Sequence, residues 1–309
     1  MEIFSQQLIN GLVLGSIYAL VALGYTLVYG ILELINFAHG EITMMGAMVA
    51  LAVIGAMLGS ASPLPGVLIA GTGLLVAIGV CVALGLLIER VAYRPLRNAP
   101  RLAPLITAIG VSILLQNIAM MVWGKQYIAF PPILPQGRHE ILGAQITDVQ
   151  ILILVLTLVI MLGLTLLVNR TPLGRAMRAT AQSKSVAQLM GVNINQVIAS
   201  TFIIGSALAA VAGVMVSANY GQAHYYMGFM LGLKAFSAAV LGGIGNLAGA
   251  MLGGLLLGVI ESLGAGYIGD LTGGFLGSNY QDVFAFFVLI LVLVFRPSGL
   301  LGERVVERA

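Results

Sequence analysis

The densest chemistry in the chain lies at Ile35–Glu41, INFAHGE, where Asn36, His39, Gly40 and Glu41 interrupt two apolar runs, with Glu33 just ahead. Polar and ionisable groups at membrane depth are costly and usually line a pathway or a cavity. Glycine permits the unwound backbone that discontinuous helices need. Two readings follow. The stretch is a broken segment along a route, or it is an interfacial turn in which Asn36 and His39 cap helix ends and Glu41 opens the next helix. Gln116 and Asn117 close the stretch TAIGVSILLQN, deep in another apolar run. They suit hydrogen bonds between helices, worth about 1 kcal/mol or less each, or contact with a substrate. Glu261, followed by Ser262, suits a pathway group or a partner for a buried lysine or backbone amide.

A second kind of chemistry is docking. In GRAMRATAQSKSVAQLMGVN, residues 174–193, Val186, Leu189 and Met190 share one helical face, while Gln182, Ser185 and Gln188 are polar. Gly191 can end the helix. Such a helix fits a partner's groove, or it lies in the lipid interface. The stretch 234–254, KAFSAAVLGGIGNLAGAMLGG, places Gly242, Gly243 and Gly245 at a tight turn. It matches neither G-x-x-x-x-G-K-[ST] nor G-x-G-x-x-G, so it reads as a close-packed helical hairpin and not as a phosphate loop. No catalytic constellation is visible. The three histidines lack metal spacing, and Gly110-Val111-Ser112 is not followed by the glycine that a rhomboid-like serine site carries. No metal or cofactor is expected. Cys81 is the only cysteine, which excludes an intrachain disulfide and predicts plain packing.

The elements that must position these groups are membrane helices. Of the 309 residues, 60% are hydrophobic and 8% charged, about a third of the charge of an ordinary soluble domain. A span needs about 20 apolar residues, and candidates fall at 6–29, 42–59, 66–88, 102–123, 150–168, 197–219, 228–244, 247–268 and 281–296. The seventh is short and carries Lys234, which predicts a broken or tilted helix. Eleven of the 14 Lys and Arg residues sit in three segments: Arg90, Arg94, Arg97 and Arg101; Arg170, Arg175, Arg178 and Lys184; and Arg296, Arg304 and Arg308. Basic residues flanking spans collect on the cytoplasmic side. Loops 89–101 and 169–196 and the C-terminus are therefore expected inside, with 124–149, 220–227, 269–280 and the N-terminus outside. The net charge of +3 does not indicate nucleic acid, because the basic residues flank apolar runs and form no groove with aromatic platforms. Their expected partners are anionic lipid and a docked protein. The first ten residues lack a basic start, so no cleaved signal is expected. Glycines four apart at Gly11/Gly15, Gly55/Gly59, Gly249/Gly253 and Gly254/Gly258 predict close helix contacts. The expected fold is an all-α polytopic membrane protein, a bundle of about 8–10 spans with a helix broken near residues 30–41 and a helix on the cytoplasmic face. No soluble domain is expected, since the longest polar stretches are too short for a core.

INFAHGE, ERVAYRPLR at 89–97, AIG-x-S-x-x-LQN at 108–117, the GRAMRA…GVN loop, KAFSAAVLGGIGNLAGAMLGG and PSGLLG at 297–302 occur in an order and spacing that resemble the LivH-type permeases of branched-chain amino acid ABC importers. The resemblance covers nearly the whole chain and is weakest in 124–149. It implies one transmembrane domain over 1–309, in the inner membrane of a bacterium. It also implies a second, LivM-like permease, two ATPase subunits inside and an external binding protein. Loop 169–196 is similar to the family's coupling segment, with Ala179, Ala181 and Gly191 on the pattern and Arg175, Arg178, Val186, Leu189 and Met190 around them. No Glu precedes the alanines, a departure from the full "EAA" consensus. Asn36, His39, Gly40, Glu41, Gln116, Asn117 and Glu261 are the candidate pathway residues. An ion-coupled secondary transporter is the alternative. It would also use buried ionisable groups and broken helices, but it needs no coupling loop and usually shows an internal repeat, and none is discernible here.

Overall fold

The computed structural model describes residues 2–60, 64–97, 99–100, 102–141, 143–273 and 280–302. Arg101, Arg304 and Arg308, and the side chain of Asp270, lie outside the described residues. The chain is an all-α membrane protein: α1 Glu2–Leu32, α2 His39–Gly59, α3 Gly66–Ile88 continued by a π-helical turn Glu89–Tyr93, α4 Leu102–Trp123, α5 Asp148–Arg170, α6 Pro172–Gln182, α7 Lys184–Leu189, α8 Ile194–Tyr220, α9 Met227–Gly242, α10 Leu247–Leu271 and α11 Gln281–Phe295. Among the described residues, seven helices are long and apolar enough to cross a bilayer, and α9 and α11 are shorter apolar helices. Four short strands occur: β1 Ile128–Ala129 with β4 Gln222–Ala223, and the hairpin β2 Arg138–Ile141 with β3 Ala144–Thr147.

α1 is the axis of the bundle. It is apolar on all sides, and from Ser16 to Val28 every residue is buried, as expected of a helix surrounded by protein. Its closest neighbour is α10. A Cβ on Gly11, Gly15, Gly254 or Gly258 would meet the other helix's backbone within 3 Å. The Gly249/Gly253 pair packs in the same way against α9, on Gly242 and Ala238. Gly55/Gly59 does not follow the expectation. Both face open space, because they lie on the side of α2 turned away from α3, which packs on Ile54 and Met57. The outer ring of α3, α4 and α5 leaves Leu75, Leu87, Ile106, Met121, Leu158 and Leu166 exposed, a surface suited to lipid.

Contacts sort the loops onto two ends. At one end, Lys184 Nζ donates to the Leu32 carbonyl (3.4 Å) and Arg97 Nη1 to Asn195 Oδ1 (2.6 Å). The α9–α10 turn at Gly245 lies beside Gly30, and Gly302 lies on Gly243. This is the end that carries the three basic segments. At the other end, Gln6 bonds Gln145, Ile133 packs on Gly66, and Phe130 N donates to the Gly221 carbonyl. α9 is a single unbroken helix, not a broken one. Its 16 residues span about 24 Å at about 1.5 Å each, so the surrounding longer helices must bury its ends.

Candidate functional site

The break is real and lies within the expected 30–41, although it takes in only the first part of INFAHGE. α1 ends at Leu32, residues 33–38 leave the helix, and α2 begins at His39. Gly40 and Glu41 are thus already helical. The left-handed backbone is supplied by Glu33 (φ 59°), the only non-glycine with positive φ among the described residues. Gly40 serves contact: a Cβ there would stand 2.4 Å from the Gly228 carbonyl and 2.8 Å from Gly232 Cα of α9. Between Leu32 and His39 the chain turns back into the bundle. The His39 ring lies on Gly24, eight residues before the end of α1, about 12 Å up the helix.

Four elements hold the turned-back segment. The Tyr93 hydroxyl, at the end of the π-helical turn, donates to Asn36 Oδ1 (3.0 Å), which also accepts from Ala38 N (3.1 Å). His39 is wedged between Gly24 of α1 and Gly205 of α8, edge-on to Tyr25 with ring centroids 4.8 Å apart. Its Nε2 is buried without a partner, so the ring holds the helices by packing. Glu41 is wholly buried. Its Oε1 accepts from Ser112 Oγ (3.1 Å) and Gln116 Nε2 (2.7 Å) of α4, while Oε2 is unpartnered and faces Gly228. Thr26 Oγ1 and Asn36 Nδ2 are likewise buried without partners. Next to Ser112 and Gln116, the partners of Glu41, lies a cavity of about 190 Å³ that Glu41 itself does not line; Tyr25, Phe37, Tyr226 and Phe229 are among its walls. Polar groups left unsatisfied in a bilayer are tolerated only where water or a ligand reaches them.

The structure therefore brings Asn36, His39, Gly40, Glu41 and Gln116 together. It leaves Asn117 out of this cluster: the side chain is exposed and bonds the Ile113 carbonyl of its own helix at 2.8 Å. It also places Glu261 elsewhere: the carboxylate accepts from Lys234 Nζ (2.7 Å) and the Tyr18 hydroxyl (2.9 Å). Lys234 also pairs with Asp282 (2.7 Å), so this cluster ties α1, α9, α10 and α11. The sequence reading missed Ser112 as a site residue, although its i, i+4 spacing from Gln116 puts both on one helical face. Tyr25, Phe37, Tyr93, Tyr226 and Phe229 carried no signal beyond being aromatic.

At the basic end, the helix expected over 179–191 is two pieces. Ser183 takes extended backbone and its hydroxyl caps α7 by accepting from Val186 N (3.3 Å), so Ala179 and Ala181 belong to α6. Gly191 (φ 84°) closes α7. Val186, Leu189 and Met190 are 56%, 86% and 79% exposed. Arg178 donates to the Val168 carbonyl, and Arg175 is exposed. A groove of about 690 Å³ lies beside α7, lined in part by Leu32, Arg97, Lys184, Gln188 and Asn195.

The family model of the branched-chain amino acid transport system permease component matches residues 7–293. The chain belongs to this family. BraD of Pseudomonas aeruginosa, a high-affinity branched-chain amino acid transport system permease protein, is 50% identical over 99% of this chain and 98% of its own length. LivH of Escherichia coli, with the same description, is 47% identical over 99% and 97%. A more distant similarity, 31% identity over 45% of this chain and 42% of the relative, is to LsrC of Photorhabdus laumondii, an autoinducer 2 import system permease protein. No solved structure matches the chain. In the permease, the broken segment and the exposed α7 face are two of the places where the fold departs from a sealed apolar bundle.

Proposed function

We propose that this permease forms half of the translocation pathway of an ATP-driven importer for leucine, isoleucine, valine or a related amino acid. A second, homologous permease completes the pathway, two ATPase subunits dock at the basic end, and an external binding protein delivers the cargo at the other. The basic end is cytoplasmic, which puts the N-terminus outside and residue 302 inside. The whole chain is one transmembrane domain, and residues 169–196 are its coupling loop.

The observation that carries this reading is the apolar knob of Val186, Leu189 and Met190, tied to the broken segment by one bond. Apolar side chains this exposed beside arginines and lysines suit a protein groove. Lys184, the first residue of α7, reaches the Leu32 carbonyl at the C-terminus of α1, where a cation is also favoured by the helix dipole. The next residue is the left-handed Glu33. When ATP draws the ATPases together, α7 moves with them, and the pull arrives where α1 gives way to the break. Packed small-residue interfaces such as α1–α10 then shift as units.

Leu189→Asp places a charge in the docking groove at a cost of a few kcal/mol. ATPase co-purification or binding-protein-stimulated hydrolysis is expected to fall by about 100-fold. Normal assembly with normal uptake would overturn the docking assignment. Sidedness has its own test. In a Cys81→Ser background, a cysteine at Gln136 is expected to react with an impermeant thiol reagent in intact cells, and cysteines at Arg97 and Gln182 are not. Strong labelling at 97 would reverse the orientation.

A further inference from the structure

The cavity beside Glu41 has a chemistry more specific than that of a passage. Ser112 and Gln116 stand side by side on its wall, and both direct a donor to the same oxygen of Glu41. In its ionised form, the state that an arriving ammonium favours, the Glu41 carboxylate only accepts. The Gln116 amide must therefore turn its nitrogen to Glu41 and its carbonyl oxygen away, and the Ser112 hydroxyl has only lone pairs left to offer. The result is an edge of acceptors backed by a negative charge whose second oxygen is unpartnered. The rest of the cavity's lining is aromatic or aliphatic, including Phe37, Tyr226, Phe229, Ile109 and Leu233. Such walls accommodate both a cation and a branched alkyl chain. No cation lines the cavity to receive a carboxylate, since the nearby Lys234 is committed to Glu261 and Asp282. The volume, about 190 Å³, is below the roughly 300–1,000 Å³ of drug-sized sites, as a single small metabolite requires.

We propose that this cavity is a transient binding site for the free amino acid. The α-ammonium sits on the Ser112–Gln116 edge with Glu41 as counter-charge, and the branched side chain lies against the aromatic and aliphatic walls. Recognition here is of the amine and the alkyl group, and the cargo's carboxylate points to the open side of the cavity. The proposal rests on the pathway reading and adds a ligand class and an orientation to it.

The test uses the purified complex of all membrane and ATPase subunits, without binding protein, and a photoreactive diazirine analogue of leucine. After photolysis and peptide mapping, the modification is expected within 109–116 or 226–233. Leucinamide, which keeps the amine, should compete with the label, and 4-methylpentanoate, which keeps only the carboxylate, should not. Gln116→Leu should lower labelling about tenfold, the effect of one charge-assisted hydrogen bond, and lower leucine uptake in proteoliposomes with it. Leu233→Trp fills the cavity without touching the partners of Glu41, and it should abolish labelling even if Gln116→Leu fails to assemble. Asn117→Leu, one residue along α4 on the outward face, should label as the wild type does. Labelling confined to other peptides, absent at millimolar probe, or displaced by 4-methylpentanoate and not by leucinamide would overturn the site. A wild-type complex that imports branched-chain amino acids while neither variant alters labelling removes this site alone. A wild-type complex that imports none of them removes the transporter reading itself.

Discussion

Glu41 and Glu261 are both glutamates sunk in an apolar bundle, 0% and 2% exposed, and both stand out in the sequence as pathway candidates. Their surroundings differ in one respect. Both oxygens of Glu261 are taken, one by Lys234 and one by Tyr18, and Asp282 shares the same cation, with the Lys234 ammonium 5.8 Å from the centre of the Tyr18 ring. Glu41 has two donors on one oxygen and none on the other, and no cation among its bonding partners; a cavity lies beside the partners of each, about 190 Å³ at Ser112 and Gln116 and about 240 Å³ at Tyr18 and Lys234, so the pairing alone separates them. A buried charge that is fully paired fixes helices in place. A buried charge left half-paired costs stability in every state that lacks a ligand or water, and the fold keeps it only where something arrives. In a membrane bundle, the pairing of an ionisable group separates framework from pathway better than its depth does.

The largest expected effect breaks the framework side. Lys234→Met leaves Glu261 and Asp282 facing each other without their shared cation. Removing one partner of a buried pair typically costs about 3–5 kcal/mol. The assembled complex should lose most of its yield, and its thermal midpoint should drop in a detergent melting series. Adding Glu261→Gln to Lys234→Met should recover much of that loss. A Lys234→Met complex as stable as the wild type would show that the cluster holds nothing together.

The next effect sharpens the contrast by making the same change on both sides. Glu261→Gln should destabilise, because Lys234 keeps only Asp282. Glu41→Gln removes a charge that lacks a counter-ion, so stability should stay within about 1 kcal/mol of wild type or rise. Uptake, by contrast, should fall about tenfold, since the amide cannot supply the counter-charge. If the two variants behave alike in melting and in uptake, the distinction between paired and half-paired carboxylates collapses.

Much of this was legible in the sequence because it depends on local pattern. Span length and apolarity define the bundle, the glycine pairs locate the α1–α10 contact, and INFAHGE marks the break. What was not legible depends on three-dimensional partners. Nothing local says that Tyr18, 243 residues away, and Lys234, 27 residues away, complete Glu261. Nothing local says that Gly40 meets Gly228 and leaves the positive φ to Glu33. The break at 33–38 lies within the expected stretch but leaves Gly40 helical: the glycine in the motif suggests backbone freedom, but helix packing uses its missing side chain. Gln116 and Asn117 look equivalent in sequence, and only the helical phase, set by where α2 sits, puts one on Glu41 and the other outside. Gly55/Gly59 matches the spacing of the packing pairs and packs on nothing, because spacing does not supply a partner helix.

The smallest effect tests whether the break is held as well as placed. Asn36 and Tyr93 are both buried, and the Tyr93 hydroxyl supplies the one side-chain bond to Asn36 from outside its own loop among the described residues. Tyr93→Phe keeps the ring packed on Phe202, whose centroid is 5.6 Å away, and removes only the donor. Asn36 Oδ1 retains Ala38 N, so it is not orphaned, and the cost should be near the lower end for a buried neutral bond, about 1 kcal/mol or roughly fivefold in an equilibrium. That shift is too small to disturb assembly. It should appear as a change in how readily the 33–38 segment moves. Hydrogen exchange of those amides should speed up by about the same factor, with α1 above Gly24 and the Lys234 cluster unchanged. Exchange that accelerates equally in both regions would mean that the break and the framework form one cooperative unit. Exchange that changes in neither would mean that His39, wedged between Gly24 and Gly205, holds the segment without help from Tyr93.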